Sequence, residues 1–293
     1  MSPFALSRCG WAALVAFGAA CRSNGVAPVD DSGTPSVAAA PQGKLLIEEV
    51  YYAGAPPAAG RDHYFSDQFI RLRNVSGAPV EAGGLLIGDA FGLAGEINRG
   101  DVPDAFADDP DVVVLSNLWR VPGAPADVTV PPGGCLVVAQ DAGQHRPYSV
   151  VDLWEADFET VVPERDDSDD ALVPNLTPVL FTGGVDWLVT VFGPTIVVLA
   201  QLEPEDLYVG RRWSRAPATA VVDTMEALMD AQSGAYKRLH ADIDAGFTHV
   251  SGTYTGEAVR RRRTDSGGLL DTDNSGEDFS LVASPWPGCD PLW

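Results

Sequence analysis

Gln68-Phe-Ile-Arg-Leu-Arg-Asn74 runs directly into Val75-Ser-Gly-Ala-Pro79. In the first segment Phe69, Arg71 and Arg73 fall on one side and Ile70, Leu72 and Asn74 on the other, the two-residue period of a β-strand. The second segment is turn chemistry, with glycine free to take unusual dihedrals and proline fixing its own. The same strand-then-turn grammar recurs on both sides. Lys44–Tyr52, KLLIEEVYY, has the β-branched and aromatic content of a strand. Leu85-Leu-Ile-Gly-Asp89 predicts another, and Val128–Gln140 reads as a Val-Pro-Pro-Gly-Gly turn feeding an apolar strand that opens at Cys135. Within Val185–Leu202, Gly193-Pro194 splits the apolar runs Trp187–Phe192 and Thr195–Leu199, which predicts a hairpin. Thr253–Arg263 is a further strand candidate. Helical signal is sparse: Asp223-Thr224 is placed to cap a short helix over Met225–Gln232, and a second short helix is expected near Ala235–His240. The stretches 90–126 and 141–184 are long, acidic and irregular and read as insertions between strands, where functional loops tend to lie. Many short strands with turn signals specify a mainly β chain, an antiparallel β-sandwich with long loop insertions and one or two short helices.

The bulk composition is compatible with a sizeable core. Of 293 residues, 45% are hydrophobic and 20% charged, and the 30 glycines and 23 prolines favour turns over long helices. The formal net charge is −22. A surface this acidic repels phosphate backbones, so nucleic acid is not expected as a partner.

The first 20 residues read as an address rather than as structure. Arg8 and the terminal amine form a weak positive region, and Gly10–Ala20 is apolar but too short for the roughly 20 residues that span a bilayer. Gly18-Ala19-Ala20-Cys21 then resembles a bacterial lipobox, with Gly18 where an aliphatic residue is usual. The expectation is a signal peptide over 1–20 and acylation of Cys21, which gives a durable membrane anchor when two or more chains are attached. Cleavage after the small residues without acylation, giving a secreted protein, is the alternative. Residues 21–43 are rich in Ser, Gly, Pro and Ala and read as a flexible linker, so the folded domain is expected over 44–293.

Removing Cys9 with the signal and Cys21 to lipid leaves Cys135 and Cys289, an even pair in an oxidising compartment. They are expected to form a disulfide pinning the C-terminal tail to a mid-chain strand. The chain-entropy model puts the ceiling for a loop this long at about 4–5 kcal/mol.

Four segments, taken in order, resemble the bacterial lamin-tail-like domains. They are Leu45-Leu-Ile-Glu-Glu-Val-Tyr-Tyr52, Phe69–Val80, Val130-Pro-Pro-Gly-Gly-Cys-Leu-Val-Val138, and Asp271–Phe279 with Ser284-Pro-Trp-Pro-Gly288. Glu48 stands where that pattern carries Asn, and Arg71 where it carries Glu. The long inserts, with Asp244-Ala-Gly-Phe247 and Arg260–Arg263, are similar to a lipoprotein family known as domain of unknown function 4876. The resemblance implies an immunoglobulin-like sandwich on a bacterial cell surface and carries no chemistry with it.

Several motifs invite a functional reading. Asp265-Ser-Gly-Gly268 has the residues of a serine-nucleophile turn, but His63, His145, His240 and His249 sit in no base motif, so a plain turn is expected. Asp271-Thr-Asp-Asn-Ser-Gly276 resembles the start of a calcium loop, yet its twelfth position is Val282 where a bidentate Glu is needed. A structural motif is expected there instead: Asn274, Ser275 and Asp278 in a tight turn, with Phe279 filling the core. Glu164–Asp170 and Asp101–Asp111 are acidic loops. Asp166, Asp167, Asp169 and Asp170 are the candidate calcium ligands, since hard cations take carboxylate oxygens, although solvated loops are the commoner outcome. Arg260–Arg263 on a strand would alternate between two faces and pair locally. Among the tryptophans, Trp119, Trp154 and Trp213 lie near irregular segments and are the candidates for a sugar-stacking platform.

No complete catalytic constellation emerges and no catalytic residue is assigned. The expected function is that of a non-enzymatic cell-envelope lipoprotein, anchored in the outer membrane or at the cell surface, whose sandwich presents loops to an envelope protein or a glycan. A calcium-dependent structural or adhesion module is the alternative. A hydrolase of an envelope polymer, working through carboxylates of 101–111 and 155–170, ranks behind both. No cofactor is required by the first reading, and Ca²⁺ is implied only by the second.

Overall fold

The computed structural model describes residues 43–57, 65–92, 109–184, 186–187 and 189–289. The signal segment, Cys21, nearly all of the linker, His63, Asp101–108 and Trp293 lie outside the described residues. Among the described residues fifteen strands run in chain order: β1 Leu45–Tyr51, β2 Phe69–Asn74, β3 Val80–Glu81, β4 Leu86–Ala90, β5 Val112–Arg120, β6 Thr129–Val130, β7 Cys135–Ala139, β8 Phe158–Glu159, β9 Thr177–Leu180, β10 Thr195–Leu199, β11 Tyr208–Val209, β12 Ser214–Pro217, β13 Val221–Glu226, β14 Ala258–Arg261 and β15 Phe279–Val282. A single turn of α-helix, α1 Ser275–Asp278, precedes β15.

Two sheets form a β-sandwich. The first has the order β15-β14-β1-β2-β7-β8, and the second β11-β12-β5-β4-β10-β13, with β9 also on β5. Most pairings are antiparallel; β7 and β8 run parallel. The main core lies between the sheets. Ile47, Val50, Ile70, Leu72 and Val138 of the first sheet share it with Ile87, Trp119, Ile196, Val198 and Met225 of the second. Each such side chain removed from water is worth about 1.5–3 kcal/mol. The outer face of the second sheet is not left wet: Leu86, Leu115, Val197 and Leu199 pack there with Leu202, Leu207 and Leu239 from later loops.

A bulge in β1 sets the charge pattern of the first sheet. The register of β1 against β2 shifts between Ile47 and Glu49, so Glu48 is an extra, bulged residue. Leu45 and Ile47 face the main core before the bulge, and Val50 and Tyr52 after it. A bulge inserts one residue into a ladder and re-aims side chains. Here it lets two consecutive glutamates reach arginines of the same sheet. The Pro131–Gly134 turn closes onto β2, where Gly133 N donates to the Asn74 carbonyl at 3.0 Å and Asn74 N to the Gly134 carbonyl at 2.9 Å. Gly133 takes φ +67, a left-handed conformation that glycine accepts without strain.

The structure corrects four expectations. Val221–Glu226 is strand rather than the start of a helix, because pairing with β10 and burial of Val222 and Met225 outweigh a local cap signal. The second expected helix is a 3₁₀ turn at Ser233–Tyr236. Trp187 and Val189–Phe192 are not strand; Trp187 instead drops into the core beside Trp119, with ring centroids 5.8 Å apart. The supposedly irregular stretch 90–126 contains β5, nine residues long.

Candidate functional site

Beneath the C-terminal tail lies an ionic ladder on the first sheet. Arg73 Nε donates to Glu48 Oε2 at 2.8 Å, Arg71 Nη2 to Glu49 Oε2 at 2.9 Å, and Arg260 Nε to Glu49 Oε2 at 2.7 Å. Arg263 lies 3.5 Å from Glu48. On the opposite side of β14, Arg261 grips Asp223 with two bonds of 2.8 and 2.6 Å and rests its guanidinium carbon 4.5 Å from the centroid of Phe279. Arg260, Arg261 and Arg263 are therefore engaged by carboxylates and backbone of the sandwich itself rather than by the acidic loops, while Arg262 lies past the end of β14 and is exposed.

The same arginines hold the tail. Arg71 Nη1 donates to the carbonyls of Trp286 and, at 2.7 Å, Gly288, while Trp286 N donates to Glu49 Oε1 at 2.9 Å. A disulfide joins Cys135 to Cys289 with their Cα atoms 5.7 Å apart. The Trp286 ring lies against Gly288, where an added Cβ would stand 2.7 Å from the indole. Trp286 is thus fixed by backbone, disulfide and glycine, yet remains 47% exposed.

Trp286 borders a cleft of about 350 Å³ whose other wall is the loop 146–157. That loop is pinned by Val151 and Leu153, which pack with Tyr51, Phe69 and Val137. Asp157 Oδ2 also accepts from Val137 N at 2.7 Å, and burial raises its carboxyl above the ordinary range. Trp154 stands on the loop, 50% exposed. Arg146, Asp152 and Glu155 supply polar groups to the same cleft.

After the cleft wall the chain returns to an acidic cluster. Asp141, Asp167 and Asp186 each bring a carboxylate oxygen within 4.8 Å of the others. Burial pushes the Asp141 carboxyl up to about 8, with the charges of Asp186, Asp167 and Glu159 adding to it. Asp167 rises to about 6, by burial and then by its contact with Asp186. Glu159 rises to about 7 by burial, although the N–H groups of Ala142 and Asp170 each donate to it at 2.7 Å. Of the four expected metal ligands only Asp167 joins this cluster. Asp169 accepts from Asn175, Asp170 accepts from Leu172 N, and Asp166 is exposed, because the turns of this loop direct their carboxylates to local donors. Asp141 and Asp186, distant in sequence, were not foreseen.

The remaining sequence candidates resolve into structure. Asn274 caps α1 by accepting from Gly276 N, and Asp278 accepts from Thr272 N and from Arg261. Ser275 donates through its hydroxyl to Asp244 and accepts from Glu226 N at 2.9 Å, and Phe279 is buried in the main core. Ser266 is bonded to Thr264 at 2.9 Å within a turn. Trp119 is fully buried and Trp213 packs against Tyr208 at 5.0 Å, so neither offers a free face on the cleft; the second exposed indole there is Trp286.

The family described as protein of unknown function (DUF4876) matches residues 131–286, more than half of the chain. The chain belongs to this family. A crystal structure of a DUF4876 family protein from Bacteroides thetaiotaomicron VPI-5482 is similar over 85% of this chain and 75% of that one, with 22% identity and a TM-score of 0.73. At that identity the likeness concerns the fold. No curated protein matches the chain. The family match covers the loop 146–157, ends at Trp286 and includes all three members of the acidic cluster.

Proposed function

We propose that this DUF4876 chain is a non-enzymatic, lipid-anchored binding module of the bacterial envelope that takes a glycan in the cleft between Trp154 and Trp286. The observation that carries the reading is the pair of half-exposed indoles on one cleft. An indole left half in water offers a flat apolar face, which suits the apolar face of a pyranose ring. Arg146, Asp152 and Glu155 at the same cleft supply donors and acceptors for ring hydroxyls. A protein-binding surface would be expected to be larger and flatter than this concave site. The Cys21 anchor and the spacer to residue 43 would hold the cleft away from the membrane.

Glycan-array binding followed by titration of tryptophan fluorescence tests the reading. Trp154→Ala and Trp286→Ala are each expected to weaken binding by about 2 kcal/mol, close to 30-fold. Binding at full strength by the double variant would refute the cleft, and binding only to an envelope protein would refute the glycan. Retention of Cys21→Ser in the membrane fraction would refute the anchor.

A further inference from the structure

We propose that Asp141, Asp167 and Asp186, together with the side-chain oxygen of Gln140, form a calcium site. It stands on observations separate from the glycan reading.

Three carboxylates close together are not by themselves a site, since acidic groups gather on many surfaces. What distinguishes this cluster is Gln140. The residue is only 2% exposed, and its Nε2 reaches Asp186 Oδ2 at 3.5 Å, so the amide points into the cluster. Its Oε1 is fully buried and has no hydrogen-bond partner among the described residues. The two ends of an amide differ little in shape, and which faces which is set by the surrounding bonds. In one orientation Oε1 is an orphaned buried acceptor. In the other it faces carboxylate oxygens, a repulsive arrangement unless a cation lies between them. The first orientation leaves a buried acceptor unmet, and the second, in which the oxygen becomes a ligand, satisfies it with a cation. Oδ1 of Asp141 and Oδ1 of Asp167 are likewise buried without a partner, and Asp141 is only 7% exposed. No described arginine or lysine pairs with any of the three carboxylates.

The donor set points to the ion. All-oxygen ligands that mix carboxylates with an amide carbonyl are calcium chemistry. The three carboxylate oxygens, all within 4.8 Å of one another, are close enough to share one cation. The ligands come from the end of β7, from the loop after the cleft wall, and from the segment leading to Trp187. An ion there would tie the acidic loop to the sandwich at both ends.

The purified 293-residue chain, stripped with EDTA, is titrated with CaCl₂ and separately with MgCl₂ while its melting temperature is followed. Tb³⁺ serves as a luminescent probe, with Trp187, next in sequence to Asp186, as sensitiser. Extracellular calcium modules bind at about 10⁻⁴–10⁻³ M. At 10 mM calcium the melting temperature is then expected to rise by about 3–10 °C, with a smaller response to magnesium. Asp141→Asn and Asp167→Asn should abolish the rise and the Tb³⁺ emission. Gln140→Met keeps the shape without the oxygen; it should weaken calcium at least tenfold and leave the EDTA melting temperature nearly unchanged, which separates ligation from folding. No thermal response together with no Tb³⁺ emission overturns the proposal. So does a calcium response that survives unchanged in Asp186→Asn and Gln140→Met, since it would then arise from surface acids elsewhere.

Discussion

On β1, Glu48 and Glu49 are buried and each is met by at least two arginines: Arg71, Arg73 and Arg263 around Glu48, Arg71 and Arg260 around Glu49. Around Asp141 and Asp167 the same kind of group meets no described cation, and its pKa climbs. Both regions place carboxylates out of water, and both lie within one net-acidic chain. In the first, the sequence supplies the counter-charge from neighbouring strands, so the carboxylates act as structural links. In the second, the counter-charge must be a proton or an ion from solution. Buried charge is tolerated only when compensated. The source of compensation separates a brace from a site.

The contrast can be broken at several points. The largest effect is expected from Arg261→Ala, which strands Asp223 and Asp278 and should cost about 3–5 kcal/mol in chemical denaturation. Cys289→Ser is expected to cost about 2–4 kcal/mol. It should also free the tail, so that Trp286 fluorescence shifts towards that of a solvated indole. On the acidic side the sign reverses: Asp141→Asn should raise stability in EDTA by about 1 kcal/mol, because it removes a buried carboxyl that must either take up a proton or carry a charge the fold disfavours. Glu159 contributes to the pH dependence alongside Asp141 and Asp167, because its folded value of about 7 lies above its unfolded value. Its contribution is complete below about pH 4 and is lost as pH rises through 7. EDTA-treated protein should therefore lose on the order of 1 kcal/mol between pH 5 and 8, and Glu159→Gln should flatten that slope. The smallest effect is expected from Arg263→Ala, where a half-exposed ion pair is worth no more than about 0.5 kcal/mol.

The sandwich was legible where strand pattern and burial agree. Ile70 and Leu72 read as a core face and are one. The glutamate doublet at 48–49 is different. A period of two places one of them towards the core, and only the bulge, fixed by pairing with β2, turns both to arginines. Arg71 and Arg73 share a strand face that is covered by the tail carrying Trp286, a long-range contact that no local pattern announces. Local cap chemistry at Asp223-Thr224 misled because Asp223 serves Arg261 and Ile47 N across the sandwich. The acidic cluster was half visible. Asp167 sits in a run of acids that advertises itself, whereas Asp141 and Asp186 are single acids 45 positions apart that meet only once β7 and the loops are packed. The cleft was visible through Trp154 alone, since Trp286 acquires its place from a long-range disulfide and from Arg71.

A paired comparison of melting temperatures places the two regions on one scale. Asp141→Asn and Glu49→Gln would each be measured in EDTA and again in 10 mM calcium. Removal of the Asp141 carboxyl should raise the melting temperature in EDTA and abolish the calcium response. Loss of charge at Glu49 should lower it in both conditions and leave the calcium response intact. If both variants fell equally in EDTA and both still responded to calcium, the two regions would be the same kind of brace, and the division of labour between them would be wrong.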